Sequence, residues 1–482
     1  MINRSIIDNL LLEKSNLVWG LTGVLLITLF FGLALISTDF NREISMTQQP
    51  VLILVIILIL SGTLYFSVCI FPNTDRGKKL FVWVIAVGTV LRVIMLFSTP
   101  ILENDYFRYM WDGAVLANGI NPYAYSPEEV IQNTGKNSYI PALLSELAEE
   151  SDDIIHKINY PDLRTVYPPV SQAIFATTYY LQPWSVFSLR LVFLLFDFVT
   201  LALLLYILRF LNLSLISSAI YWWNPLVVKE IFNSAHLDVI ALPFVLGAIL
   251  LAIRSRYFWS IIFLTLAIGV KLWPVVLLPI VLRPLISNPK RLVPALILFC
   301  ILLLALFLPV YVTGFDESSG FTAYAGQWEN NNSIFKLILL GSGFILKTID
   351  IHPGHGQLAT RISVFMIICI WIAYLTYQKV GKPGEIFEKC LLIVAAVFLL
   401  SPTQFPWYYT WMVPLLAIRP RPSLILLTAL LPLYYLRYYF LPRGQLEISM
   451  YVIVWIEFVP VWILLIREWR LNRLSSFTPS PL

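Results

Sequence analysis

Long apolar runs dominate this chain and decide what it can fold into. A bilayer core is crossed by about 20 apolar residues. Runs near that length fill 18–37, 51–71, 80–98, 186–208, 237–253, 292–312, 361–378, 423–441 and 448–466. Five shorter or proline-broken runs lie at 213–225, 258–270, 272–283, 389–401 and 405–418. Too short to cross lipid alone, these are expected as half-helices or tilted pieces packed inside a bundle, where interrupted backbone is tolerated. The pattern predicts an all-α polytopic membrane protein of about 12–14 transmembrane helices, with residues 1–482 as a single integral membrane domain. Only 13% of the residues are charged, about half the share of a soluble domain, which excludes an ordinary water-soluble protein. An apolar share of 59% excludes disorder. The first run has no small-residue cleavage motif and reads as a retained helix. Cys69, Cys300, Cys369 and Cys390 fall in apolar stretches without CxxC spacing, so no disulfide framework or cysteine metal site is expected.

Lysine and arginine set the direction of the spans. With the N-terminus in the cytoplasm and every run counted as a crossing, the inside segments hold Arg4 and Lys14; Arg76, Lys78 and Lys79; Arg209; Arg254 and Arg256; Arg283, Lys290 and Arg291; Lys379, Lys382 and Lys389; Arg419 and Arg421; and Arg467, Arg470 and Arg473. These are 19 of the 33 basic residues, at roughly four times the density of the outside segments, the bias that cytoplasmic loops carry. Both termini are then cytoplasmic, and the loops 99–185 and 313–360 face the other side. The first loop holds 11 acidic and four basic residues. Within it, 141–153 predicts a short surface helix and 170–184 an interfacial helix. A net charge of +5 is too small to imply a nucleic-acid partner. Compact loops tilt the location toward a bacterial plasma (inner) membrane.

Chemistry-bearing residues gather at the outer ends of these runs. Just past the third stands ILENDYFRYMWDG, with Glu103 and Asp105 flanking Asn104. Residues two apart in extended backbone point the same way. Two carboxylates there can face one polar substrate, one of them taking a proton from a hydroxyl. An ExD word is also an ordinary polar exit from a membrane. Asn121-Pro122-Tyr123 and Arg164-Thr165-Val166-Tyr167-Pro168-Pro169 follow in the same loop. Then come Trp223-Asn224-Pro225, Asn233-Ser234-Ala235-His236-Leu237-Asp238, Gly269-Val270-Lys271-Leu272-Trp273-Pro274 and Ser401-Pro402-Thr403-Gln404-Phe405-Pro406-Trp407-Tyr408-Tyr409. Polar residues converging on one face around embedded helices describe a site.

In this order, the words resemble the C-type (GT-C) glycosyltransferases. They are most similar to bacterial polyprenyl-phosphate-mannose-dependent mannosyltransferases and to the GPI mannosyltransferase that adds the first mannose. The likeness covers roughly residues 80–440. It implies a GT-C-like bundle with a large extracytoplasmic first catalytic loop. It also implies inverting transfer of a hexose, mannose by the resemblance, from a polyprenyl-phosphate-linked donor to a hydroxyl on a glycolipid or glycan acceptor. The lipid-linked sugar is then a co-substrate, and no other cofactor is implied. By the same resemblance Asp105 is the general base and Glu103 supports the acceptor. Arg108, Arg164, His236 and Lys271 are candidates for stabilising the departing phosphate, and Tyr123, Tyr167, Asp238, Gln404 and Trp407 are further substrate contacts. The chain departs from the pattern in two places. Its acidic loop follows the third span where the family's usually follows the first, and Glu103 stands where the GPI enzyme has Asp.

Other readings of these residues stay open. Lys271 is either a ligand of the leaving group or an ammonium snorkelling from a broken helix. His236 and Asp238 also suit a helix N-terminus. Arg190 and Asp197 share a helix face and, with Arg92, Arg437 and Glu457, read as structural polar seams. His352 and His355 lack further ligands nearby, so no metal is expected. Glu329-Asn330-Asn331-Asn332 is either a sugar contact or a polar turn. A transporter or lipid/sugar flippase also buries charge at broken helices, but the chain lacks the paired halves such folds repeat.

Overall fold

The computed structural model describes residues 4–70, 77–133, 140–348 and 355–477, with side chains from residue 16 to residue 471. Arg76 and His352, and the side chains of Arg4, Lys14 and Arg473, lie outside the described residues. Among the described residues the chain is helical, with no strand beyond an isolated bridge between Asn330 and Thr403. Eight helices are long and apolar enough to span a bilayer: Asn16–Phe40, Val51–Ile70, Lys78–Leu96, Val186–Phe210, Pro289–Thr313, Gly356–Tyr377, Pro422–Arg443 and Leu446–Leu471. They coincide with eight of the nine full-length runs. The ninth run, 237–253, is one arm of a bent pair: Pro225–Asn233 and Leu237–Ile253 meet at 106°. Ala235, between the arms, has φ 56°, which supplies the turn.

By length, then, eight or nine crossings stand among the described residues. The larger expected total depends on short helices packed inside the protein, such as Tyr257–Val270 and Trp273–Leu285. The short run 213–225 ends at Pro225, and 405–418 is interrupted by Pro406 and Pro414, as its proline-broken pattern leads one to expect, since proline cannot donate to the preceding turn. Pro225 opens a new helix whose free N–H groups are met by Asn224: its Oδ1 accepts from Leu226 and Val227, each at 3.1 Å. Pro406 and Pro414 likewise open short helices. Every residue from 218 to 243 and from 403 to 418 is buried, so protein, not lipid, surrounds these breaks. The most apolar 18-residue stretch of Pro289–Thr313, by contrast, is only 17% buried and belongs to the lipid-facing sheath.

Buried polar groups tie the bundle together. Arg92 pairs with Asp197, and its guanidinium lies 3.4 Å from the Trp222 ring centroid. Arg190, although it shares a helix face with Asp197, instead donates to the carbonyls of Leu96 (3.1 Å) and Ser98 (2.6 Å). Gly62 lets Val51–Ile70 meet Pro422–Leu430 backbone to backbone, since a Cβ there would come within 2.6 Å of the Ala429 Cα.

The acidic loop that follows Lys78–Leu96 is itself folded. In the numbering used here, α1–α3 are Arg4–Ile36, Val51–Ile70 and Lys78–Leu96, and the loop adds α4 (Asp105–Ala117), α5 (Pro127–Gln132), α6 (Ala142–Glu150) and α7 (Pro169–Leu181). The last two coincide with the helices that the sequence predicts at 141–153 and 170–184. Trp111, Val115, Val130, Leu144, Leu147 and Ile155 form a small apolar core of its own. A capping box starts α5: Ser126 Oγ accepts from the Glu129 N–H (3.2 Å), and Glu129 Oε2 accepts from the Ser126 N–H (2.7 Å).

Candidate active site

The loop leaving α3 carries the acidic pair and is clamped before it begins. Asn233, at the bend of the broken pair, accepts from the Ile101 N–H (3.0 Å) and donates to Ser98 Oγ (2.8 Å) and the Thr99 carbonyl (2.7 Å). Arg190 holds the same segment from the other side. Leu102 then takes φ 65°, turning the chain so that Glu103 and Asp105 both face a cavity of about 480 Å³. Asp105 is the first residue of α4, where the positive end of the helix favours a carboxylate.

The two acids differ in setting. The Asp105 side chain is 28% exposed to the cavity. Burial raises its pKa above the usual Asp value; Lys271 nearby pulls it down, as do hydrogen bonds from Tyr167 and Asn159. Glu103 is more enclosed, and Tyr438 donates to its Oε1 at 3.0 Å. Burial pushes Glu103 up to about 7, against the opposing charge of Lys229 and with the like charge of Asp105. Both carboxyls thus have raised proton affinity beside open space, which suits exchange of a proton with a hydroxyl.

Cations line the same cavity, most of them already paired. Lys271 Nζ is 2.6 Å from Asp238 Oδ1 and 4.4 Å from the Tyr408 ring centroid. It stands at the end of Tyr257–Val270, whose last carbonyl accepts from Ser171 Oγ of α7 at 2.8 Å. Arg108 Nε lies 3.1 Å from Asp112 Oδ1, and its Nη2 donates to the Leu163 carbonyl. Arg164 bridges to the segment that follows Pro289–Thr313, with Nη2 2.7 Å from Asp316 Oδ1 and Nη1 3.0 Å from the Thr313 carbonyl. Aromatic faces complete the wall: Trp273 stacks on Trp411 at 5.1 Å and Tyr408 on Trp411 at 4.5 Å.

The sequence model of a mannosyltransferase family, described as alpha-(1->6)-mannopyranosyltransferase, N-terminal domain (MptA_B family), matches residues 17–286, more than half of the chain. The chain belongs to this family. It is a multi-pass membrane glycosyltransferase that transfers mannose. No curated protein and no solved structure matches it.

In this mannosyltransferase the matched segment carries the acidic loop, the broken pair and Lys271, while Gln404 and Trp407 lie beyond it. Of the expected site residues, Glu103, Asp105, Arg108, Arg164, Tyr167, Lys271 and Trp407 line the cavity. His236 stands directly behind: fully buried, it stacks on Trp407 at 4.1 Å, with Nδ1 3.9 Å from Asp105 Oδ2 and Nε2 3.5 Å from Glu230 Oε2. Neither His236 nor Asp238 caps a helix with its side chain; Asp238 takes Lys271 and the Trp411 indole (2.5 Å) instead. Tyr123 reaches the site only through Tyr167, donating to its carbonyl at 2.7 Å. Gln404 is outside the cavity: its amide donates to the Leu399 carbonyl (2.8 Å), and its Oε1 accepts from Ser333 (3.3 Å), which makes it a brace for the buried segment 403–418.

Three groups escaped the sequence reading. Lys229 and Glu230 lie between the apolar runs 213–225 and 237–253 and were not singled out. A π-helical turn, Val228–Asn233, buries both completely, with Lys229 donating to the Tyr435 hydroxyl at 2.5 Å and Tyr435 bonding in turn to Glu230. The signal was present as two adjacent charges inside the otherwise apolar PLVVKEIF. Arg437 was read as part of a structural seam, yet it lines the cavity and has no acidic partner within 4.0 Å among the described residues. Glu457 does hold a seam, accepting from Asn331 Nδ2 at 2.9 Å.

Proposed function

We propose that this mannosyltransferase takes its sugar from a polyprenyl-phosphate-linked donor. It passes the sugar, with inversion, to a hydroxyl of a glycolipid or glycan acceptor at the extracytoplasmic face of a bacterial plasma membrane, with both termini in the cytoplasm. The observation that carries this reading is Asp105: a carboxylate of raised proton affinity, opening onto the cavity at the end of a span, with Lys271 and His236 behind it. The acceptor hydroxyl gives its proton to Asp105 as its oxygen attacks the anomeric carbon. The bond from that carbon to the phosphate oxygen breaks, and the phosphate leaves with the electron pair. One carboxylate suffices, and no covalent sugar–enzyme intermediate is needed. Glu103, held by Tyr438, orients the acceptor. Inversion to the α-linkage of the family's description demands a β-linked donor.

Purified protein given polyprenyl-phosphate-mannose, or nucleotide-linked mannose, with a mannoside acceptor tests this. Transfer from the lipid donor alone, with an α-anomer in the product by NMR, is the expected result. Transfer from the nucleotide sugar without lipid overturns the donor assignment, and an α-product from an α-linked donor overturns inversion.

A further inference from the structure

Four cations line the main cavity: Arg108, Arg164, Lys271 and Arg437. The first three each hold a carboxylate, at 3.1, 2.7 and 2.6 Å. Their charge is already answered, so none is a free receptor for an anion. Arg437 differs. No carboxylate lies within 4.0 Å of it among the described residues. Its hydrogen bond to protein runs from Nη1 to the Tyr434 hydroxyl (3.2 Å), and its guanidinium lies 5.4 and 5.7 Å from the ring centroids of Tyr434 and Tyr438. The π faces hold the cation without neutralising it, the Glu103 charge acts on it only from beyond ion-pair distance, and part of the planar fork is left for a ligand.

We infer that Arg437 is the receptor for the phosphate of the lipid donor, which rests on the lipid-phosphate reading above. Position supports the assignment. Arg437 lies six residues before the end of the span Pro422–Arg443, roughly 9 Å along a helix. It stands where the main cavity meets a second one of about 240 Å³, which shares Asn330, Tyr434 and Arg437 with it. One side of this junction holds Asp105. The other is walled on one side by Leu446, Met450 and Val454, beside the half-exposed Tyr451 and Val452, and on the other by polar residues that include the paired Glu329 and Lys336. A lipid phosphate at Arg437 therefore places its sugar toward Asp105 and its chain past Leu446, Met450 and Val454. The guanidinium fork matches two phosphate oxygens at once. The next residue, Tyr438, is the one that bonds Glu103, so donor binding and the acidic pair share a single short helix.

The test compares binding of a short-chain polyprenyl phosphate with that of the matching polyprenol to purified wild type, Arg437→Met, Arg437→Gln and Arg437→Lys, read by quenching of tryptophan fluorescence. Wild type is expected to prefer the phosphate by about ten- to hundred-fold. Arg437→Met should bring that preference near unity while polyprenol affinity and melting temperature stay unchanged, and Arg437→Lys should keep part of it. If Arg437→Met does not fold, Arg437→Gln supplies the same readout. A neutral variant that keeps the full preference overturns the role of Arg437 and leaves the donor reading standing. A wild type that does not distinguish phosphate from alcohol overturns the donor reading itself.

Discussion

Replacing Lys271 with methionine removes the cation from a carboxylate that is fully buried. Asp238 Oδ1 accepts from Lys271 Nζ (2.6 Å) and from the Trp411 indole (2.5 Å), and its Oδ2 has no hydrogen-bond partner. Breaking a buried ion pair from one side costs about 3–5 kcal/mol, because the other charge stays in place without its partner. An exposed pair would cost only about 0–1 kcal/mol. The Lys271 side chain is 18% exposed, so the lower end, about 3 kcal/mol, is expected. Combining Lys271→Met with Asp238→Asn removes both charges and keeps an acceptor for Trp411, so most of the loss should return. The assay is thermal unfolding of the detergent-purified variants, in a chain with Cys69, Cys300 and Cys369 replaced, followed by reaction of a thiol dye with Cys390, which is fully buried in the folded chain. A large drop in melting temperature for the single variant and a small one for the double variant is expected. Equal melting of wild type and Lys271→Met would refute the reasoning. Activity separates the two roles of this lysine. Lys271 exerts the strongest charge effect lowering the proton affinity of Asp105, and Asp238 a smaller opposing one. The double variant should therefore fold but work only at higher pH.

Asp105→Asn keeps shape but cannot take the proton, so turnover should fall about 10²- to 10⁴-fold in a sugar-transfer assay, with Glu103→Gln milder; near-normal turnover of Asp105→Asn would remove it as the base. Because burial raises the Asp105 pKa, the acidic limb of the activity profile should lie above the ordinary Asp range, with rate lost as pH falls through it; a limb at or below that range would contradict the burial argument. Glu103 holds its proton up to about 7 when folded, against 4.5 normally. Its contribution to stability is therefore full below 4.5 and lost as pH rises through about 7, and Glu103→Gln should flatten the melting temperature across that window. For sidedness, a cysteine at Glu150, exposed at the end of α6, in a chain with its native cysteines replaced, should react with an impermeant thiol reagent on intact cells; labelling only after lysis would reverse the topology.

Much of this was legible in order along the chain. Eight of the nine full-length apolar runs became eight long helices because length and hydropathy are local properties, and a bilayer rewards them wherever they occur. The acidic word was visible because Glu103 and Asp105 are two residues apart, and Gly/Pro punctuation marked the turns that bring α7 and Lys271 to the same place. The breaks were harder. Whether a proline-interrupted run spans, turns back or packs inside depends on what surrounds it, and the burial of 218–243 is a property of the bundle. The same holds for Lys229 and Glu230, which the sequence reading passed over and which a π-turn and Tyr435 enclose.

Composition and periodicity alone determined that this chain lives in a membrane as a helical bundle and carries two acids at the end of its third long run. Only the tertiary structure decided which charges are free. Lys271 meets Asp238 across 33 residues, and Arg164 meets Asp316 across 152; no local pattern foretells either pair. Coulomb attraction acts over a few ångströms in space with no regard to separation along the chain. Arg437, the cavity-lining cation that folding left without an ion-paired carboxylate among the described residues, is therefore one that reading in sequence order assigned to the scaffold.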